Sequence, residues 1–584
     1  MNAESNLSQY IAESKSLNDK KFGNEVKISI LSSFTLEGLS ETLIVKCAEK
    51  DIKCKTFVSG YNQYNQEILK DNSQLHNFSP EITFLILDPR KIFGSLFYNS
   101  YELSKEQRID FVNKKFNEIK ELIDFFKSKS KSKLVISNFW VPTYSPYGIS
   151  ETKTEFGFRE MIKQLNQNLL DKVQDEDSVY LLDMDRFVSK YGEENTFDFQ
   201  QYFFGDIQIS IKFIPHLANE LMSFVIAYLG ISKKCIVLDL DNTLWGGIAG
   251  EDGVDGIKLG HGPPGNAFLE FQEHLLSLFH RGIILAVNSK NNPDDALKIF
   301  REHPNIVLKE DNFANLKINW NDKVENMNEI AKELNIGLDS IVYFDDDPIN
   351  REFMKMALPQ VKTVELPDDP SQFSKILQNL NEFSSFVVTK EDSDRGKMYS
   401  EQRKRDELKA SVISYDEFLK NLGLVISIKK ADDFTIPRIS QLTLKTNQFN
   451  LTTKRYQEED IRKFSRGEDF LVSCTQVEDK FGDNGITGVF IVKKDNSKEW
   501  IIDTFLLSCR IIGKEIEKTM MEQIFQQAKC NGVERIRAKF IPTQKNKPAE
   551  KFLGDCGFKK EGDFWVYDLE IPFKKPDFIE VKTE

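Results

Sequence analysis

Asp239 and Asp241 stand two residues apart at the end of an apolar run, "CIVLDLD". Residues i and i+2 of a strand face the same way, so the two carboxylates converge where the run ends. Two acids that close repel, and either a cation neutralises them or one takes up a proton. Both remedies suit phosphoryl chemistry. Mg²⁺ takes hard oxygen ligands, one carboxylate attacks phosphorus, and a protonated neighbour donates to the leaving group. Further parts follow in order along the chain. Ser289 closes the run "IILAVNS" and offers a hydroxyl to a phosphate oxygen. Lys323 in "INWNDK" supplies a cation against developing charge. Asp345 and Asp346 end "SIVYFDD" and suit the remaining coordination of a metal.

The runs that carry these residues alternate with helical segments such as "FLEFQEHLLSLFHR" and "KVENMNEIAKELN". A βα series of this kind predicts a parallel sheet, and ligands sit at the carboxyl ends of such strands. An earlier βα series, "VKISILSSF", "ITFLILD" and "KLVISNFW", predicts a second parallel sheet. From about Leu422 strands and helices resume in a different order as far as about Leu569. Between the last two regions lies a charged stretch, "TKEDSDRGKMYSEQRKRDELK", which reads as an exposed helix or linker.

The bulk numbers bound what such a chain does. Its 584 residues exceed a single core and predict about three domains. A formal net charge of −13 argues against non-specific nucleic-acid binding. The longest apolar stretches are too short to span a bilayer, and the polar N-terminus lacks a secretory signal. The seven cysteines are scattered and odd in number, a pattern that suits reduced thiols and predicts a cytoplasmic protein.

The order of motifs, D-x-D-x-T, then a strand-ending Ser, then Lys, then Asp-Asp, resembles the haloacid dehalogenase (HAD) superfamily. The resemblance implies Asp239 as the nucleophile that becomes an aspartyl-phosphate. It implies Asp241 as general acid/base, with its carbonyl on Mg²⁺, and Thr243 as a residue fixing the loop. Ser289 and Lys323 would hold the phosphoryl group, and Asp345 and Asp346 would complete the metal site. No insert large enough for a cap follows the first or second motif, so the expected site is open and suits large or carrier-bound substrates.

"KKCIVLDLDNTLWGGIAGEDGVDGIKLG", "SKNN", "INWNDK" and "LGLDSIVYFDDDPINREF" are more closely similar to the FkbH-like family, HAD subfamily IIIC. "LTLKTNQFNLTTKRY" and "LSCRIIGKEIE" resemble its C-terminal part, and together the matches run from about Lys233 to Phe558. The family implies transfer of a glyceryl-type acyl unit from a small phosphorylated substrate, such as 1,3-bisphosphoglycerate, to an acyl carrier protein. It also implies surface-polysaccharide or secondary-metabolite synthesis as the setting. Lys290 and Asn291 of "SKNN" are expected at the substrate. The turn Arg510-Ile511-Ile512-Gly513-Lys514 and the later Asn546, Phe552 and Gly557-Phe558 resemble a GNAT acyltransferase. They imply a CoA or phosphopantetheine thioester held through Arg510, Gly513 and Asn546. Asn447, Gln448 and Asn450 are read either as substrate ligands or as partners of buried backbone.

FkbH-like proteins often carry an SGNH-hydrolase-like N-terminal domain, for which Ser32 or Ser33, Asn138 and His216 are the candidate residues. The GDS block and a D-x-x-H before His216 are absent, so a structural or docking domain is expected there. Cys235 and Cys509 are read either as acyl carriers or as small hydrophobic fillers. Many relatives have cysteine where this chain has Asn288, and if that cysteine is the carrier, glyceryl transfer is not expected here. The expected fold class is α/β and multidomain: an SGNH/flavodoxin-like parallel sheet, a capless HAD-type Rossmann-like sheet and a GNAT-like α/β domain. The expected boundaries are a tail at 1–25, the SGNH-like domain at 26–230 and the HAD-like domain at 231–368. A charged helical connector at 369–421, the GNAT-like domain at 422–570 and a tail at 571–584 follow. Two enzymatic readings stand, an acyl-transferring phosphatase or phosphotransferase and a simple phosphatase with non-catalytic flanking domains. A scaffold with vestigial sites is the third.

Overall fold

The computed structural model describes residues 7–17, 20–388, 398, 405, 414–495 and 498–583. The chain divides into two compact units, Met1–Val225 and Ile226–Glu584.

The first unit is built on five parallel strands, β1 (Asn24–Ser32), β2 (Ile52–Val58), β3 (Ile82–Ile86), β4 (Lys133–Ser137) and β5 (Val179–Leu182), in the order β2-β1-β3-β4-β5. That order is the flavodoxin-like one. β3 and β4 are buried along their whole length, as unbroken apolar runs in a parallel sheet must be. The stretch expected as a tail instead forms helix α1 (Leu7–Ser16). Tyr10 and Leu17 pack with Val45, because a helix with an apolar stripe lowers its free energy by covering it.

The second unit opens with another parallel sheet, β6 (Cys235–Leu238), β7 (Ile284–Ser289), β8 (Phe313–Ile318), β9 (Ile341–Phe344) and β10 (Lys362–Thr363), in the order β10-β9-β6-β7-β8. The chain moves outward in one direction from β6 to β8 and then in the other from β9, so the order reverses between β6 and β9. A crevice opens at the carboxyl ends of such a pair. Helix α2 (Gly265–His280) covers one face through Phe268, Phe271 and Leu275. Helices α3 (Lys323–Glu333) and α4 (Pro348–Ala357) bury Met327, Ile330 and Met354 on the other. The expected connector at 369–421 divides. Helix α5 (Phe373–Gln378) and Phe383 join the core of this sheet, whereas 389–413 lies outside the described residues apart from the buried Met398 and Arg405.

The remaining strands form one mixed sheet. They are β11 (Val425–Lys430), β12 (Phe449–Asn450), β13 (Phe470–Asp479), β14 (Gly482–Lys494), β15 (Glu499–Leu507), β16 (Arg535–Ala538), β17 (Lys559–Glu561), β18 (Phe564–Asp568) and β19 (Glu580–Thr583). Helix α6 (Ile436–Lys445) follows β11, and helix α7 (Ile516–Cys530) connects the parallel neighbours β15 and β16. Those two pair from Glu499 to Ile502, beyond which β12 takes the freed edge of β15 at Leu506 and Leu507. The segment expected as a second tail supplies β19, which lies parallel to β11 with Ile579 buried beneath it.

Candidate active site

Leu238 and Phe344 lie opposite one another at the ends of β6 and β9, so the next residue of each strand, Asp239 and Asp345, meets its neighbour at the crevice. The Asp239 N–H donates to the Phe344 carbonyl at 2.9 Å and locks this register. Lys323 arrives as the first residue of α3, whose N-cap Asp322 accepts from the Val324 and Glu325 amides. Its ammonium lies 2.9 Å from Asp239 and 2.6 Å from Asp345, with all three side chains buried. Asn288 fixes the lysine from behind, donating to the Lys323 carbonyl at 2.8 Å. Burial pulls the Lys323 ammonium down, but the two carboxylates outweigh it and hold it above the ordinary lysine range. Burial, joined by Asp345, pushes the Asp239 carboxyl up against the opposing pull of Lys323 and a hydrogen bond from Ser289.

Asp345 is occupied by protein on both oxygens. Oδ2 accepts from Lys323 and from the Tyr343 hydroxyl, and Oδ1 accepts from the Asp347 amide at 2.9 Å. Asp346 differs. It is partly exposed, touches the Thr243 hydroxyl at 3.4 Å, and is pushed up to about 6 by burial and by Asp239 and Asp345. One oxygen from each of Asp239, Asp345 and Asp346 falls within 4.8 Å of the others. With Asp241 beside them, four carboxylates face one lysine, and a hard divalent cation relieves the surplus of negative charge. The donor set fits Mg²⁺, with Asp346 and Asp239 better placed than Asp345 to turn an oxygen toward it.

Asp241 follows two residues after Asp239 in a turn that places Asn242 at φ 53°. Its Oδ1 accepts from the Trp245 indole at 2.9 Å and the Ala249 amide at 3.1 Å, while Oδ2 accepts from Asn291 at 2.9 Å. Burial raises its carboxyl above the ordinary range, against these donors. The Trp-Gly-Gly segment closes as a flap, Gly246 bridging to Lys258. Ser289 is buried beside Asp239, and Lys290 is exposed at the rim. Asn291, expected at the substrate, is instead buried and bonded to Asp241. Tyr343, the bond from the Trp245 indole to Asp241, and the Arg351 guanidinium, which donates to the Asp345 and Asp346 carbonyls, escaped the sequence reading. A tyrosine or tryptophan in an apolar run reads as core, and only the third dimension shows where its polar end points.

A second candidate is a cavity of about 220 Å³ at the amino ends of β6 and β7, where the HAD-type sheet meets the mixed sheet. Arg510 and Cys509 line it together with Asn447, Gln448, Lys234 and Lys545. Burial pushes the nearby Asp339 carboxyl up, but Lys545, Lys233 and Lys234 together hold it below the ordinary range. Gly513 takes φ 84° and accepts from the Tyr415 hydroxyl at 2.7 Å through its carbonyl.

Several expected ligands are not available. Asn546 is fully buried, donating to the Asn450 and Ile541 carbonyls at 3.0 and 2.9 Å and accepting from the Thr543 amide, so it braces loops. Asn450 likewise caps its own loop, through Thr446, Thr452 and Thr453. Cys235 is fully buried at the amino end of β6, burial raising its thiol far above the ordinary range, so it is no acyl carrier. In the first unit each of the candidate hydrolase residues has partners of its own within the fold. Ser32 accepts from the Phe34 amide and Ser33 from the Asp88 amide. Asn138 bonds Asp183 and the Met184 amide, while His216 lies against Tyr191 and Phe213.

The family model described as "FkbH, N-terminal domain" matches residues 27–226. Among solved structures, the chain is similar to the N-terminal part of protein BF1531 from Bacteroides fragilis, which contains a phosphatase domain and is complexed with Mg. Identity is 28%, coverage 65% of this chain and 99% of that one, and the TM-score 0.59. The ribosomal-protein-S18-alanine N-acetyltransferase from Escherichia coli matches at 10% identity over 25% of this chain and 96% of its own, with a TM-score of 0.21. A GNAT-family acetyltransferase from Staphylococcus aureus matches at 14% identity over 25% and 99%, again at 0.21. No curated protein matches. Sheet order and the carboxylate–lysine crevice define a multidomain α/β protein whose second unit pairs a HAD-like parallel sheet with a mixed sheet. The family-model match over residues 27–226 and the likeness to the Bacteroides fragilis structure together support an FkbH-like HAD protein.

Proposed function

We propose that the chain is a Mg²⁺-dependent phosphatase or phosphotransferase working through an aspartyl-phosphate on Asp239. The observation that carries this is the buried Asp239–Lys323–Asp345 cluster, with Asp346 and Asp241 at its mouth. Asp239 attacks phosphorus while the bond to the leaving oxygen breaks, and Asp241 gives that oxygen its proton. Water then attacks the same phosphorus, Asp241 takes the water's proton, and phosphate leaves as Asp239 is restored. Lys323 and Ser289 hold the phosphoryl oxygens, and Asp345 aims Lys323. Thr243 sets the loop and Lys290 meets the substrate at the rim. Bound Mg²⁺, held by Asp239, the Asp241 carbonyl and Asp346 with Asp345 behind it, supplies charge neutralisation for the phosphoryl group. The phosphatase domain of the Bacteroides fragilis relative, complexed with Mg, supports the choice of metal.

We further propose that the cavity at Arg510 receives a CoA or phosphopantetheine thiol arm, so that a small acyl unit passes to an acyl carrier protein in polysaccharide or secondary-metabolite synthesis. The GNAT-like order of β15, α7 and β16 and the cationic lining support this. The simpler phosphatase reading, with docking domains on either side, is favoured by the inaccessible Cys235 and by Asn288 in the place of a cysteine.

Phosphate release from small acyl and sugar-acid phosphates tests the proposal. Asp239→Asn is expected to abolish Mg²⁺-dependent release, as is removal of the metal by a chelator. Unchanged release in the variant would refute the assignment.

A further inference from the structure

We infer that Asn291 is a positioning residue that aims the Asp241 carboxyl, an inference that rests on the phosphotransfer reading above. Asp241 is held from two sides. On one, the flap grips Oδ1 through the Trp245 indole and the Ala249 amide. On the other, the loop after β7 reaches Oδ2 through the Asn291 Nδ2 at 2.9 Å. A carboxyl gripped on both oxygens by separate elements does not rotate about its last side-chain bond.

The amide of Asn291 is itself fixed. Its Oδ1 accepts from the Asn292 backbone N–H at 3.0 Å, so its Nδ2 must face Asp241. The side chain is only 4% exposed and leaves little surface for a substrate. Asn292 in turn accepts from the Trp320 indole at 3.1 Å, tying the same loop to the segment that carries Lys323. Two donors pin Oδ1 to the flap and one sets Oδ2, which makes Oδ2 the oxygen free to exchange its partner. When a leaving oxygen arrives, the O–H bond on Oδ2 breaks and the O–H bond on the leaving group forms as the P–O bond opens. Misaiming a reacting group by about 1 Å costs on the order of 100-fold in rate.

The test compares two substrates on the full chain with Mg²⁺. An alkyl phosphate needs a proton on its leaving oxygen, whereas p-nitrophenyl phosphate does not. Asn291→Ala is expected to slow the first turnover, leaving-group release before water attacks, roughly 10- to 100-fold for the alkyl phosphate. It should leave that first-turnover release within about threefold for p-nitrophenyl phosphate, and the substrate concentration that half-saturates it unchanged for both. Asn291→Asp keeps the shape but replaces the donor with an acceptor, and should show the same split. Equal losses of first-turnover release on both substrates, or weaker saturation with that rate kept, would overturn the inference and make Asn291 a structural residue or a substrate ligand. If the unaltered chain releases phosphate from neither compound, the phosphotransfer reading itself falls and takes this inference with it.

Discussion

Single residues carry most of what is specific here, and they carry it through their partners. Asp88 shows how. It is fully buried after β3, accepts from the Arg90 amide at 2.9 Å and from Gln208, and burial pushes its carboxyl from the ordinary 3.8 up to about 6. The folded state therefore holds the Asp88 proton more tightly than the unfolded chain does. Its contribution to stability is greatest below about pH 4, falls through the window from about 4 to about 6, and stays low above it. The loss amounts to roughly 3 kcal/mol. Asp88→Asn keeps the oxygen that Arg90 needs and, once the Gln208 amide turns over, donates to its Oε1, which has no partner among the described residues. The variant is expected to be more stable than the natural chain at neutral pH, with the difference vanishing in acid, as read by urea unfolding at both pH values. A variant less stable at neutral pH would contradict this.

At the same scale lies the divide between what the sequence reveals and what it hides. Asp239, Asp241, Ser289, Lys323, Asp345 and Asp346 were legible because each sits at or just after the end of an apolar run, where β-structure delivers side chains to one edge. The different duties of Asp345 and Asp346 were not, since adjacent letters do not show that one is enclosed by Tyr343 and Lys323 while the other meets solvent. The partners of Asn291 and Asn546 were hidden for a related reason. An asparagine in a motif looks like a ligand until its amide is found bonded to its own fold.

Elements hold those residues in place by close approach. The flap runs from Trp245 to Lys258 and passes into α2, whose first residue is Gly265. A Cβ at Gly265 would stand 2.9 Å from the Gly260 amide nitrogen and 3.0 Å from that of Leu259, both backbone atoms that cannot swing aside. Gly265→Ala is therefore expected to destabilise by about 1–3 kcal/mol and to lower phosphate release as the flap shifts away from Asp241. Thermal unfolding of the full chain checks the first effect, and an unchanged midpoint would show that the loop yields without cost. The parallel strands were readable as unbroken apolar runs. The roles of α1, α5 and β19 were not, because short amphipathic pieces near termini and charged stretches carry too little pattern to show what they will cover.

Over the whole second unit, the two candidate sites take opposite edges of one sheet. Asp239 follows the carboxyl end of β6, and Lys234 at the cavity precedes its amino end. Five residue steps along the strand separate them by about 16 Å of backbone. On the proposed reading, an acyl unit freed at Asp239 would need a thiol arm or a carrier to reach the Arg510 cavity. The step that would start such a hand-over is the proposed phosphoryl capture at Asp239. The most direct measurement is to mix the full chain with Mg²⁺ and a labelled phosphorylated substrate, quench during turnover, and map the label by peptide mass spectrometry. The account predicts an acid-stable, base-labile phosphoryl group on Asp239, absent from Asp239→Asn. Label on another residue, or rapid turnover with no phosphoryl-enzyme trapped at any time, would contradict it.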